Sequence, residues 1–336
     1  MIRALVVVVA VVVVELAGAS ACVTTQQVPD ASPDPRDDLP PLAGADKPAA
    51  KPAPVRTVLD LSPRDPIVNV RVVFETGSAD DPAGKDGLAL LTAHLMKQAT
   101  EKLSASDLAD ALFPWAAELD VQVDKDALAF LGRVHKDHAD EYARILTDIL
   151  VHPRLDKADF ARVKAEQKAY LENTLRTGDD EALQREALEA TLYPAGHAYH
   201  HTPAGTVKGV DAITLDDVRG FLKNELTRDR AIIGVSGGAP PSFVDALKGA
   251  VESLPSSAGA RADAKMPPAP AKNTALLVDK PAAGSAISLG YPVDLARGDG
   301  DYPAMKLAET WFGEHRNLIG HLFNSMREKR GLNYGD

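Results

Sequence analysis

The chain has 336 residues, 45% of them hydrophobic, which is enough for two domains with real cores and too apolar for a disordered polymer. Its 37 Lys and Arg against 48 Asp and Glu leave a net charge of -11, which argues against nucleic acid or an anionic membrane surface as a partner. A single cysteine, Cys22, excludes an internal disulfide framework and a cysteine-based metal cluster.

The first 22 residues read as an export segment. Arg3 supplies the positive charge, eleven apolar residues run from Ala4 to Val14, and the small residues Ala17-Gly18-Ala19-Ser20-Ala21 precede Cys22. As a helix, eleven residues span only about half of a ~30 Å hydrocarbon core, so this is not a convincing membrane anchor. Cys22 directly after Ala19-Ser20-Ala21 resembles a bacterial lipoprotein processing site, although Ala19 and Glu15 depart from that pattern. Two outcomes follow: lipidation of Cys22, which is the favoured one, or plain cleavage after Ala21. Either places the protein outside the cytoplasm, in the cell envelope or periplasm.

Residues 23–55 carry eight prolines among Ala, Asp and Lys and are expected to form an extended tether. A first body then covers 56–255. Its β-branched run Ile67–Phe74 predicts a strand closed by Thr76-Gly77-Ser78. Leu88, Leu91, Leu95 and Met96 recur at helical spacing and predict a helix near 87–98. Further along, 128–134 predicts a strand, 140–151, 157–175 and 181–192 three helices, 215–226 another helix, and 230–235 a strand. A second Pro/Ala-rich stretch, 256–272, is expected to be a linker. A second body begins at 273 with strands over 274–279 and 286–291 and helices near 302–312 and 318–329. Ending at Asp336, it is too short to repeat the first body and is expected to be incomplete. The mixture is α+β: two lobes, each an antiparallel-rich sheet with helices on one face.

Two stretches carry a family resemblance. One is Gly87-Leu88-Ala89-Leu90-Leu91-Thr92-Ala93-His94-Leu95-Met96, on a helix after a strand that ends in Glu75-Thr76-Gly77-Ser78; the other is Leu322-Phe323-Asn324-Ser325-Met326-Arg327-Glu328-Lys329-Arg330-Gly331-Leu332-Asn333-Tyr334. Between them Thr147-Asp148-Ile149-Leu150-Val151-His152-Pro153, Tyr193-Pro194-Ala195-Gly196-His197-Ala198-Tyr199, Gly205-Thr206 and Ile213-Thr214-Leu215-Asp216-Asp217-Val218 follow in order. Over 56–336 the chain resembles the pitrilysin/insulinase family of inverted-motif zinc metallopeptidases.

The resemblance sets expectations for the site. Active members carry H-x-x-E-H on that helix, with the two His binding zinc and the Glu acting as general base. Here Leu90 stands at the first His, Ala93 at the Glu, and only His94 remains. Leu has no lone pair to donate and Ala cannot accept a proton. The family's third ligand is a Glu in a later helix; Tyr170 and Leu171 occupy its expected place, leaving Glu166 and Glu172 as weak metal candidates. No metal site and no catalytic residue are therefore expected in this chain, with His94 a relic. His197, His200 and His201 read as loop structure, and His135 and His138 as a solvated face or cap.

Arg327 and Tyr334, seven residues apart, match the family's substrate-binding pair: the Arg holds the peptide backbone and the Tyr donates to the oxyanion. Some bacterial members work as pairs in which one chain keeps the zinc motif and the other the Arg-Tyr function. The leading expectation is a degenerate, non-catalytic subunit that binds unfolded peptides, with zinc held by a homologous partner. Two alternatives remain: a divergent active zinc peptidase using His94 with Glu166 or Glu172, and a structural pseudo-peptidase scaffold of the envelope.

Overall fold

A computed structural model describes residues 54–257, 259, 261, 264, 267, 274–280, 285–313 and 320–332. The export segment, Cys22, the tether up to residue 53 and Tyr334 lie outside the described residues. Five strands form one sheet: β1 (Arg56–Leu61), β2 (Ile67–Phe74), β3 (Glu118–Val123), β4 (Leu128–His135) and β5 (Ala231–Gly237). Their order is β1-β5-β2-β4-β3, with β1 parallel to β5 and every other neighbour antiparallel.

Period-2 alternation decides which face is covered. Val68, Val70, Val72 and Phe74 of β2, Leu128, Phe130 and Val134 of β4, and Ala231, Ile233 and Val235 of β5 are buried on one face. Asn69 and Arg71 of β2 and Arg133 of β4 are exposed on the other. Helices α3 (Ala139–Val151) and α8 (Pro241–Ser253) pack on each other against the buried face. Gly132 allows this closeness. A Cβ there would lie 2.1 Å from the Tyr142 hydroxyl, which α3 inserts across β4 to donate to the Glu118 carbonyl at 2.7 Å.

At the β3 end the remaining helices gather around α1 (Leu88–Met96), which touches β3, α4 (Lys157–Ala169) and α7 (Leu215–Glu225). Between them run α2 (Ala105–Leu112), α5 (Asp180–Leu192) and α6 (Val207–Ala212). The predicted helix 157–175 is longer than expected, since α4 continues as a wide, i+5-bonded helix over Tyr170–Gly178. Ser104, Thr206 and Thr214 cap α2, α6 and α7 through their hydroxyls.

The second body departs from expectation. The described residues 274–280 and 285–293 lie in no strand, and the sheet is built entirely from 56–237. Leu276, Leu277, Val278, Ile287, Leu289 and Tyr291 are exposed. Apolar β-branched runs become strands only where a sheet edge pairs them, and an isolated hairpin is marginal in water. The predicted helix near 302–312 is present as α9 (Tyr302–Phe312). That near 318–329 is helical from 321 and widens over Phe323–Glu328. Among the described residues no helix is long and apolar enough to cross a membrane.

Candidate functional site

The candidate site is built on α1, whose first turn is fixed from two sides. The Gly87 and Ala89 N–H groups donate to the two oxygens of Asp81 at 2.7 and 2.8 Å. The Gly87 carbonyl accepts from the buried Gln167 amide of α4 at 3.0 Å, and the same amide reaches the Ala204 carbonyl at 2.9 Å. Gly87 holds φ of +99°, and a Cβ on it would lie 2.7 Å from the Ala204 oxygen, so this N-cap requires glycine. Burial pushes the Asp81 carboxyl up to about 7, against the two N–H donors that favour its charge. Leu88, Leu91, Leu95 and Met96 then lock the helix into the core.

The metal face of α1 is different. Leu90 is half-buried and packs against the core, and Ala93 is fully buried. His94, one turn beyond Leu90, is half-exposed. Burial and the Lys97 ammonium lower its pKa, with Asp120 of β3 and Glu166 of α4 opposing them. Both carboxylates are engaged: Asp120 with Lys97, and Glu166 with Arg162 at 2.9 Å, whose other arm reaches Gln98. Glu172 sits 4.0 Å from Lys168. At the expected third-ligand place, Leu171 is buried and Tyr170 faces outward at 37% exposure.

These residues do not fit zinc. A catalytic zinc needs three protein donors and one open position. His94 is one donor, Leu90 offers none, and Glu166 is paired with Arg162. Among the described residues no three His, Cys, Asp or Glu side chains converge on a metal-sized point.

Beside α1 the bare face of the sheet forms a shallow trough lined by Asn69, Arg71, Asp120, Arg133 and Ser236, so Asp120 belongs both to the trough and to the surroundings of His94. β3 is an edge of the sheet, leaving its outer backbone groups unpaired by any strand among the described residues.

Residues 56–201 match the model of the insulinase family, peptidase family M16, and 212–335 match that of the peptidase M16 inactive domain. The chain belongs to the insulinase family. Relatives include zinc proteases of uncharacterized role from Streptomyces coelicolor, 26% identical, and Bacillus subtilis, 23% identical. The alignments cover 84% and 83% of this chain, and the chain spans only 62% and 66% of those relatives' length. In fold it is similar to the crystal structure of a peptidase M16 inactive domain from Pseudomonas fluorescens (TM-score 0.71, 21% identity, 84% of this chain and 67% of that one). It is also similar to pitrilysin (TM-score 0.55, 17% identity, 63% of this chain and 23% of that one). The insulinase fold, α+β with helices on one sheet face, is thus the one expected from the sequence.

The remaining candidates of this insulinase chain fall elsewhere. Arg327 lies in the wide helical stretch with its guanidinium over the Phe323 ring, 5.4 Å from the centroid, and Tyr334 lies outside the described residues. The three loop histidines each meet a backbone group: His197 Nδ1 accepts from the Tyr199 N–H at 3.0 Å, His200 Nδ1 lies 2.7 Å from the Tyr193 carbonyl, and His201 Nδ1 lies 3.0 Å from the Thr202 carbonyl. His138 stacks on Trp115, and His135 accepts from the Asp137 N–H. The residues that sequence reasoning missed are Asp81 and Gln167. The signal for Asp81 was its place six residues before the glycine that starts a helix.

Proposed function

We propose that this chain is the non-catalytic, substrate-binding subunit of an envelope peptidase, paired with a homologous chain that carries zinc. The observation that carries the reading is α1. Its frame is complete, from the Asp81 cap to the buried leucines, yet Leu90 and Ala93 replace a metal ligand and the general base. The family match to an inactive domain over 212–335 supports the same reading.

In this role the chain contributes binding. Unfolded peptide lies against the open sheet face and the edge of β3, whose outer main-chain groups no strand among the described residues pairs. Arg327 holds the substrate backbone, and Tyr334 donates to the oxyanion that forms when the partner's zinc-activated water attacks. Cys22 carries a lipid that fixes the pair to the membrane, and residues 23–55 hold it at a distance. That some relatives are named zinc proteases favours a second reading, a divergent enzyme with its own metal.

Co-expression with a homologous chain containing an intact H-x-x-E-H, followed by peptide hydrolysis, tests the pairing. Arg327→Ala and Tyr334→Phe are expected to lower hydrolysis by the pair about 10²-fold or more, the cost of losing an oxyanion donor. Unchanged hydrolysis in both variants sinks the proposal.

A further inference from the structure

On the bare face of the sheet, strand register sets Val58 of β1, Gly234 of β5, Arg71 of β2 and Leu131 of β4 side by side in one row. All four line the trough. Gly234 is the gap in that row. A Cβ there would meet nothing closer than the Arg71 carbonyl oxygen at 3.7 Å, so the space above the strand is open. Glycine inside a strand weakens it and marks a place where a ligand or another backbone approaches closely. The rest of the strand on either side, Ala231-Ile232-Ile233 and Val235, is ordinary apolar strand sequence. Since β1 and β2 both pair with β5, the gap is a slot about 10 Å wide between backbones, twice the strand spacing, with exposed Val58 on one wall and Arg71 on the other.

Arg71 is exposed at the centre of the sheet, and among the described residues no carboxylate or carbonyl takes up its guanidinium. That is notable in a chain with 48 acidic residues against 37 basic ones. Its neighbours in the trough are engaged: Arg133 lies 3.9 Å from Glu118, and Asp120 pairs with Lys97. In the next row Asp60, Ser236 and Asn69 stand side by side, which puts the Asp60 carboxylate across the slot and one step along from Arg71. A guanidinium presents donors in a fixed fork that matches a carboxylate with two parallel hydrogen bonds. The Asn69 amide and the Ser236 hydroxyl add neutral donors beside it.

Resting on the peptide-binding role above, we propose that Arg71 and the Gly234 slot form a subsite for one carboxylate of an extended peptide. Arg71 holds the carboxylate, and the adjoining peptide residue lies over Gly234 with its apolar part against Val58. The carboxylate comes either from an Asp or Glu side chain or from the peptide's C-terminus; both present the same planar pair of oxygens to the fork. Asp60 repels a second negative charge, so the slot takes a single carboxylate and disfavours a phosphate or a run of acidic residues.

Fluorescence anisotropy with the full chain and labelled, unstructured peptides of one sequence tests it. One peptide carries a single Glu and an amidated C-terminus, the second has Gln for that Glu and the same amide, and the third has Gln and a free C-terminus. A carboxylate peptide is expected to bind about tenfold or more tighter than the uncharged one, and which of the two gains identifies the source. In Arg71→Gln, whose exposed position spares the fold, the three peptides are expected to bind alike. Gly234→Val, which fills the slot on a strand that accepts valine, is expected to weaken the favoured peptide. Equal binding of all three by the unmodified chain overturns the subsite and leaves the peptide-binding role standing. A carboxylate preference that survives Arg71→Gln, or binding that Gly234→Val leaves unchanged, also overturns the subsite alone. No binding of any peptide overturns both.

Discussion

Helices α1 and α9 are close in length and in apolar content, and they end in opposite states. Seven of the nine residues of α1 are buried, whereas no residue of α9 is, and Leu307 and Trp311 stand in solvent. What separates them is the neighbourhood. α1 has β3, α4 and α7 around it, while none of the described elements makes an extensive contact with α9. Local sequence makes both helical; only the surroundings convert an apolar stripe into a core.

That comparison is sharpened first by Leu91→Ala, which empties a fully buried site and is expected to cost about 2–5 kcal/mol in urea unfolding. A loss below about 1 kcal/mol would mean that α1 is less firmly packed than its burial implies. The next effect is smaller and depends on pH. Asp81 holds its proton up to about 7 in the folded chain and releases it near 3.9 when unfolded, so folding takes up a proton between those values. Its stabilising contribution is full below about pH 4 and is lost as pH rises through about 7, with a slope of at most about 1.4 kcal/mol per pH unit. Asp81→Asn is expected to flatten stability between pH 4 and 7 relative to the unmodified chain. An unchanged slope contradicts the buried carboxyl. Smallest is Leu307→Ser on α9, expected to stay within about 0.5 kcal/mol; a large loss there would show that α9 is covered after all.

Much of the first body was legible in the sequence because its signals are local. The β-branched run of β2 and the leucine spacing of α1 each name an element without reference to anything distant. β3 was not legible, since Glu118, Asp120 and Gln122 give it a polar outer row and its place at the edge comes from pairing with β4. The strands expected over 274–279 and 286–291 failed for the converse reason: their residues favour a strand, but no described edge accepts them. At the site, Leu90, Ala93 and His94 could be read from motif spacing alone. Asp81 and Gln167 could not, because their partners lie 6 to 80 residues away and meet only in the folded chain.

The same contrast bears on function: α1 has its frame, with Leu90 and Ala93 on it where the family motif carries His and Glu. The most direct test is metal analysis of the purified full chain after exposure to zinc, alongside His94→Ala. The account predicts substoichiometric zinc in both and no difference between them. One zinc per chain that is lost in His94→Ala would contradict it and return the chain to the active peptidases.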